Sequence, residues 1–179
     1  MTQPSGACFA TGTKTYIYEV YEQLQRIPEV IFVPLGNGTL FIGIIKALEE
    51  FLRDGIIRHM PQIYAVQSEN CAPFARAFAA GDRHIPPVQP SPTLAEGIAI
   101  GIPMRGDEIL HYVYNHGVIV ITAPENRILE ARERLAAQGI YGEHTSAATY
   151  AAYLALCDAR GELRDPLIPM CGAGLKSDH

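Results

Sequence analysis

The 179-residue sequence has little that would suit a membrane or a nucleic acid as partner. It contains no run close to the ~18 apolar residues that a membrane-spanning helix needs. Its net charge of -5 and pI of about 5.6 lack the basic excess typical of nucleic-acid-binding proteins. The first twelve residues are polar and lack the basic-then-apolar pattern of a secretion signal. We therefore expect a cytoplasmic protein that binds neither nucleic acid nor membrane.

Disulfide and metal-binding patterns are also missing. The four cysteines are scattered without a Cys-x-x-Cys pair: Cys8, Cys71, Cys157 and Cys171. The six histidines are dispersed as well, and no carboxylate stands beside them at ligand spacing. The sequence therefore predicts reduced thiols and no metal site.

What the sequence does contain is a regular alternation of strand and helix patterns. Short β-branched or apolar runs predict strands at 30–33, 62–66, 118–122 and 167–170. Helical spacing of apolar residues predicts helices at 13–25, 40–53, 71–79, 93–100, 106–114, 125–138 and 145–158. Thr13 is the expected N-cap of the first helix. The proline-rich stretch 82–92 predicts a loop.

This alternation predicts βαβ units with right-handed crossovers. We expect one α/β domain over residues 1–179, without internal repeats or a low-complexity linker. Its architecture should be a three-layer sandwich, with a mainly parallel sheet of about four or five strands and helices on both faces.

A glycine loop, Gly36-Asn37-Gly38-Thr39, joins the first predicted strand to a helix. Glycines here allow an anion to approach the backbone, and a helix N-terminus offers unpaired N–H groups with a partial positive charge. The alternative interpretation is a tight turn that needs glycine for its backbone alone. It is not a Walker loop, since no Lys-Ser/Thr pair follows, nor a dinucleotide-binding G-x-G-x-x-G motif.

A second candidate lies at the end of the chain, where Cys171 and Gly172 follow the last predicted strand. Ligands of open parallel sheets bind outside the carboxyl ends of the strands. A glycine-flanked thiol there is a candidate ligand contact. The alternative is a turn with a buried cysteine.

Six segments resemble, in order, threonine synthase and its relatives, the serine and threonine dehydratases. These are pyridoxal-phosphate (PLP) enzymes with the fold of the tryptophan synthase β-subunit. The resemblance covers almost the whole chain and is carried by segments 12–16, 33–39, 66–73, 93–101, 139–148 and 171–176.

The resemblance implies a set of cofactor-binding residues and no catalytic one. Gly36, Asn37, Gly38 and Thr39 match the loop that cradles the cofactor phosphate. Cys171 matches the position beside the pyridine nitrogen, where a neutral partner moderates the electron sink, and Gly172 follows it. Glu143 and Glu96 match acidic positions of the family, with an exposed or helix-capping carboxylate as the alternative for both.

The resemblance also implies that the chain matches the C-terminal part of the PLP-binding large domain. In the family, the Schiff-base lysine belongs to the preceding N-terminal part. Lys14, Lys46 and Lys176 are the only lysines of this sequence, and none has surroundings expected to keep it neutral. We therefore expect non-covalent PLP and a chain that is inactive alone. His144 and Ala173 depart from the family's usual proline and from the histidine frequent in threonine synthases.

Three functional hypotheses follow. The chain is a threonine synthase-like subunit or fragment, a PLP-dependent lyase acting on amino acids by elimination or replacement once a lysine-bearing chain completes the site. Alternatively, it is a non-catalytic or regulatory protein that binds PLP or another small phosphate ester, or a dimeric remnant without activity. The last two predict a homodimer. Trapping of the cofactor by borohydride would distinguish catalytic from non-catalytic binding.

Overall fold

The computed structural model describes residues 11–176, except for the side chain of Lys176. The described helices are α1 (Thr15–Leu24), α2 (Thr39–Arg53), α3 (Pro73–Ala80), α4 (Gly106–Asn115), α5 (Ile128–Ala137) and α6 (His144–Arg160). The described strands are β1 (Val30–Pro34), β2 (Gln62–Ser68), β3 (Ile119–Ala123) and β4 (Pro166–Leu167). Short 3-10 turns occupy Glu96–Ile98, Glu125–Arg127 and Gly174–Lys176.

The four strands form one sheet in the order β3-β2-β1-β4, and every pairing is parallel. Val33 of β1 lies beside Ala65 of β2, which in turn lies beside Val120 of β3. Helix α2 links β1 to β2, while α3 and α4 lie between β2 and β3 in the chain. The predicted parallel α/β sheet is confirmed, and the carboxyl ends of all its strands lie at one edge.

Helices cover both faces of this sheet, because successive strand side chains point to opposite sides. One face packs against α1, α2, α3 and α4 through Ile31, Val33, Ile63 and Ala65. The other packs against α6 and the start of α5 through Phe32, Tyr64 and Val66. The predicted three-layer architecture is therefore confirmed.

Helix α1 begins two residues later than predicted, and Thr13 is not its N-cap. Lys14 occupies that position, while the hydroxyl of Thr13 donates a hydrogen bond to the carbonyl of Thr39 (3.0 Å). A Cβ at Gly43 would overlap the Thr13 side chain, so glycine there permits this close approach. The start of α1 is thereby held beside the start of α2.

The predicted helix at 93–100 is wrong, since only the 3-10 turn Glu96–Ile98 forms there. The backbone on either side leaves the helical range, with ψ of 55° at Ala95 and 58° at Ala99. Bonds to side chains hold the segment in this shape: Ala95 N–H donates to the Thr93 hydroxyl, and Leu94 N–H donates to the Glu125 carboxylate. Such bonds compete with a helix.

The predicted strand at 167–170 is also largely wrong. Only Pro166 and Leu167 pair with β1. Pro169 has no N–H with which to continue a ladder. The N–H of Cys171 donates instead to the hydroxyl of Ser146, 3.0 Å away. The predicted helix at 125–138 is a 3-10 turn, Glu125–Arg127, followed by α5. Within residues 11–176, no helix is long and apolar enough to cross a membrane.

Candidate functional site

The two predicted site segments lie at the same edge of the sheet, where the carboxyl ends of its strands are found. Strands β1 and β4 are parallel neighbours, so the Gly36–Thr39 loop that follows β1 and the Cys171–Gly174 segment beyond β4 lie on the same side. Leu35 connects β1 to the loop and is held to β2, because its N–H donates to the carbonyl of Val66 (2.7 Å). The loop therefore starts from a fixed point.

Gly38 shapes the entry into α2. It is the N-cap residue, with a φ of +78° that side chains disfavour, and a Cβ there would overlap Ile109 of α4. No described side chain caps the helix at this position. The first N–H groups of a helix have no partner within it and carry a partial positive charge of roughly half an elementary unit. The loop thus has the geometry of an anion-binding site.

The Glu96–Ile98 turn packs directly against this loop. A Cβ on Gly36 would lie 2.9 Å from the carbonyl oxygen of Gly97, so glycine is required for this contact. Gly97 in turn lies against Thr145 of α6, whose hydroxyl would be 2.6 Å from an added Cβ. Glu96 itself is exposed at the rim, and Asn37 is exposed on the loop. The turn, rather than the Glu96 carboxylate, makes the described contact with the loop.

On the other side of the site, the N-terminus of α6 holds the Cys171 segment. The N–H of Glu143 donates to the carbonyl of Gly172 (2.9 Å). The Glu143 carboxylate lies so close to Gly172 that a Cβ there would be 2.7 Å from its carboxyl carbon. Glu143 is the N-cap residue of α6, but its carboxylate makes no cap bond. Cys171 is exposed as a residue, which differs from the alternative of a turn with a buried cysteine.

The surroundings of Cys171 and Tyr16 raise the pKa values of both side chains. Desolvation by the surrounding protein, together with the charge of Glu143, raises the pKa of the Cys171 thiol to about 11, although the residue as a whole is exposed. Burial, followed by the charge of Cys171, raises the pKa of Tyr16 to about 12. Near pH 7 the site therefore presents a neutral thiol and a neutral phenol from the first turn of α1.

Three residues of this region were not predicted. Tyr16 belongs to the apolar row of its helix, Ser146 to an alanine-rich helix, and Arg132 to a charged amphipathic one, so none carried a distinct signal. The Arg132 guanidinium donates to the carbonyls of Gly142 and Gly174, both at 3.2 Å. It therefore joins α5 to the loop that precedes α6 and to the segment that follows Cys171.

Gln67 of β2 is a further support that the sequence did not reveal. Its side chain is fully buried. The amide nitrogen donates to the carbonyl of Leu35 (3.3 Å), and the amide oxygen accepts from the N–H of Ala75 (3.1 Å). A single side chain thus links the residue before the glycine loop to the first turn of α3.

The described lysines are not suited to a covalent cofactor bond. Lys14 forms an ion pair with Glu50 (2.7 Å), and this hydrogen bond is the main cause that raises the pKa of Lys14. A Schiff-base lysine needs the opposite shift. Lys46 lies in α2, about 10 Å along the helix from Thr39 at 1.5 Å per residue. The side chain of Lys176 and all of Cys8 lie outside the described residues.

We expect Cys171 to react slowly with a thiolate-directed alkylating agent. A pKa of about 11 instead of 9.0 leaves about a hundredfold less thiolate at pH 8. Replacing Glu143 with glutamine removes the second cause of the shift and should accelerate the reaction by about threefold to tenfold. Mass spectrometry of the Cys171 peptide, against an unstructured peptide of the same sequence, measures both rates. Glu162→Gln is the control, and equal rates in protein and peptide would contradict the expectation.

A model of the pyridoxal-phosphate dependent enzyme family matches residues 4–172. The chain belongs to this family. PLP is therefore the cofactor that its membership implies. The helix N-terminus at Gly38 suits a phosphate and the neutral Cys171 thiol suits a pyridine nitrogen, so the residues present fit this group. Among the described residues, no group of His, Cys, Asp or Glu is arranged to hold a metal ion.

Among curated proteins, the chain is similar to threonine synthases. It is 32% identical over 170 residues to the one from Methanocaldococcus jannaschii, covering 92% of this chain and 42% of that protein. It is 28% identical over 168 residues to the one from Mycobacterium leprae, covering 92% of this chain and 44% of that protein. The chain thus spans about two fifths of the length of these relatives.

Solved structures share the fold. A fungal L-serine ammonia-lyase from Rhizomucor miehei matches with a TM-score of 0.74 and 22% identity, over 92% of this chain and 51% of that one. Threonine deaminase isoform 2 from Solanum lycopersicum matches with a TM-score of 0.76 and 18% identity, over 93% and 46%. At these identities the likeness concerns the fold alone.

Proposed function

We propose that this chain provides the phosphate- and pyridine-binding half of a PLP site of the threonine synthase type. The observation that carries the proposal is that the Gly36–Thr39 loop and the Cys171–Gly172 segment follow neighbouring parallel strands and so lie at one edge of the sheet. One offers unpaired N–H groups at a helix N-terminus, and the other a thiol held neutral by its surroundings. The N–H groups suit the phosphate of the cofactor, and the neutral thiol suits its pyridine nitrogen.

Each residue has a binding or orienting task in this proposal. The N–H groups at the start of α2 bind the phosphate. Cys171 contacts the pyridine nitrogen without protonating it, because its pKa of about 11 keeps the proton on sulfur. Glu143 fixes the backbone of Gly172. When bound, the cofactor supplies the electron sink for eliminations and replacements on amino acids.

We further propose that the lysine of the active enzyme comes from a polypeptide segment outside this sequence. The ion pair of Lys14 with Glu50 supports this, as does the position of Lys46 within α2. The chain alone then binds PLP non-covalently and is inactive. Once completed, it acts as a lyase on an amino acid, with threonine formation from a phosphorylated homoserine first and deamination of serine or threonine second.

Exposed apolar side chains on segments that follow predicted site residues in the chain support such a covering segment. Ile102 and Met104 are 73% and 93% exposed on the chain between the Glu96–Ile98 turn and α4, and Leu175 is 73% exposed just beyond Cys171. We propose that the lysine-bearing segment covers them, with a second copy of this chain as the alternative.

The proposal is tested by titrating the purified chain with PLP, reducing the mixture with borohydride, and measuring the mass of the intact protein by mass spectrometry. We expect PLP to bind in competition with inorganic phosphate, with no stoichiometric covalent adduct after reduction. Adding the N-terminal half of a related threonine synthase should then yield a borohydride-trapped adduct on that added chain.

Two results would overturn the proposal. Absence of saturable PLP binding, alone and with the added half, would refute the cofactor site. A stoichiometric adduct on Lys14, Lys46 or Lys176 would refute the external lysine. PLP binding without any adduct in the mixture would favour the non-catalytic alternative, and light scattering would then report whether the chain is a dimer.

A further inference from the structure

A network of three polar side chains lies at the carboxyl ends of β2 and β3. Ser68 is the last residue of β2, Glu125 opens the 3-10 turn after β3, and Thr93 follows the proline-rich loop. The Thr93 hydroxyl donates to the Glu125 carboxylate (2.7 Å), and the Ser68 hydroxyl lies 2.9 Å from that of Thr93. The network thus connects two strands to one loop.

The network also binds the backbone of that loop. The N–H of Leu94 donates to the second carboxylate oxygen of Glu125 (2.5 Å), and the N–H of Ala95 donates to the Thr93 hydroxyl (3.1 Å). An ionised carboxylate accepts bonds only, so Glu125 suits these donors, and bonds to a charged acceptor are stronger than neutral ones. A bond from its own N–H to Glu69 (2.7 Å) fixes Glu125 itself.

What the network fixes is the approach to the Glu96–Ile98 turn. This turn begins directly after Ala95, and its Gly97 carbonyl lies against Gly36 of the glycine loop. Without these side-chain bonds, the segment before the turn would be free to shift, and the contact between Gly97 and Gly36 would shift with it. The bonds from the N–H groups of Leu94 and Ala95 therefore act on the glycine loop indirectly, through the position of the Glu96–Ile98 turn.

We infer that Ser68, Thr93 and Glu125 form a positioning network that holds the Glu96–Ile98 turn against the glycine loop and thereby sets the affinity for the cofactor phosphate. The inference rests on the proposed function. The three residues act through the turn without touching the cofactor. Loss of the network should therefore affect binding of the phosphate more than binding of the ring.

The test compares the affinities of the full chain for PLP and for pyridoxal, which lacks the phosphate. Thr93→Val removes the hydroxyl at nearly constant shape, and Thr93→Ser restores it. We expect Thr93→Val to weaken PLP binding by about tenfold and pyridoxal binding by less than about twofold. Thr93→Ser should remain within about threefold of wild type for both ligands. Glu130→Gln, at an exposed position of α5, is the control.

Glu125→Gln provides a second variant and should show the same selective loss, since it replaces a carboxylate oxygen by a donor. Equal weakening for both ligands in Thr93→Val would indicate a general structural role and overturn the inference. Unchanged affinity for PLP would overturn it as well. Failure of the wild-type chain to bind PLP, both alone and with the added N-terminal half, would refute the proposed function instead, and the inference with it.

Discussion

Replacing Gly38 with alanine is expected to weaken PLP binding by at least about tenfold, or 1.4 kcal/mol. Gly38 has a φ of +78°, where a side chain costs about 1–2 kcal/mol. An added Cβ would also overlap the Cδ1 of Ile109 in α4. The loop must shift to relieve both effects, and its N–H groups then leave the positions from which they bind a phosphate. Absorbance titration with PLP measures the loss.

The chain offers a matched control for this variant in Gly55. Its φ of +72° imposes the same backbone strain, but an added Cβ would meet nothing within 4 Å. Gly55→Ala should therefore lower stability by a similar strain energy, about 1–2 kcal/mol, and leave PLP affinity unchanged. If both variants bind PLP as tightly as wild type, the loop is not the phosphate site and the tight-turn interpretation of its glycines is correct.

Replacing Gln67 with leucine is expected to lower the free energy of unfolding by roughly 2–6 kcal/mol, because two buried groups are left without their bonds and each costs about 1–3 kcal/mol. The side chain is fully buried and serves both the Leu35 carbonyl and the Ala75 N–H. Leucine fills the space but bonds neither group. Urea unfolding, with the midpoint and slope compared with wild type, measures the effect.

Gln62 in the same strand provides the comparison. Its amide also donates to main-chain carbonyls, those of Ile63 and Gly117, but the residue is only half-buried. Water can replace those bonds, so Gln62→Leu should cost less than about 1 kcal/mol. Equal costs for the two variants would show that burial of Gln67 is not what makes its bonds important.

The elements with strong periodic patterns were predictable within a few residues. The run 30–33 became Val30–Pro34, and the helix predicted at 40–53 became Thr39–Arg53. The strand follows from a short β-branched run between prolines, and the helix follows from apolar residues three and four positions apart. The parallel sheet then followed from the alternation of such segments.

The errors lie where contacts distant in sequence decide the backbone. Segment 93–100 has helical residue types, but the hydrogen bond that Leu94 N–H donates to Glu125 and the contact of Gly97 with Gly36 impose a non-helical backbone. Segment 167–170 has strand-like residues, yet the N–H of Cys171 just beyond it donates to the hydroxyl of Ser146 instead of to a neighbouring strand. Neither partner is adjacent in sequence, so no local pattern reveals it.

By itself, the sequence determined the class of the fold and the position of the glycine loop, because periodicity and glycine act locally. It also placed Cys171 beyond the last strand. Only the tertiary structure decided that Glu96, Glu143 and Cys171 belong to segments packed around one edge of the sheet, and that Tyr16, Gln67 and Arg132 support it. The pKa values of Tyr16 and Cys171 likewise depend on desolvation by the surrounding protein and on neighbours far along the chain. These are properties of packing, which no spacing of residues along the chain encodes.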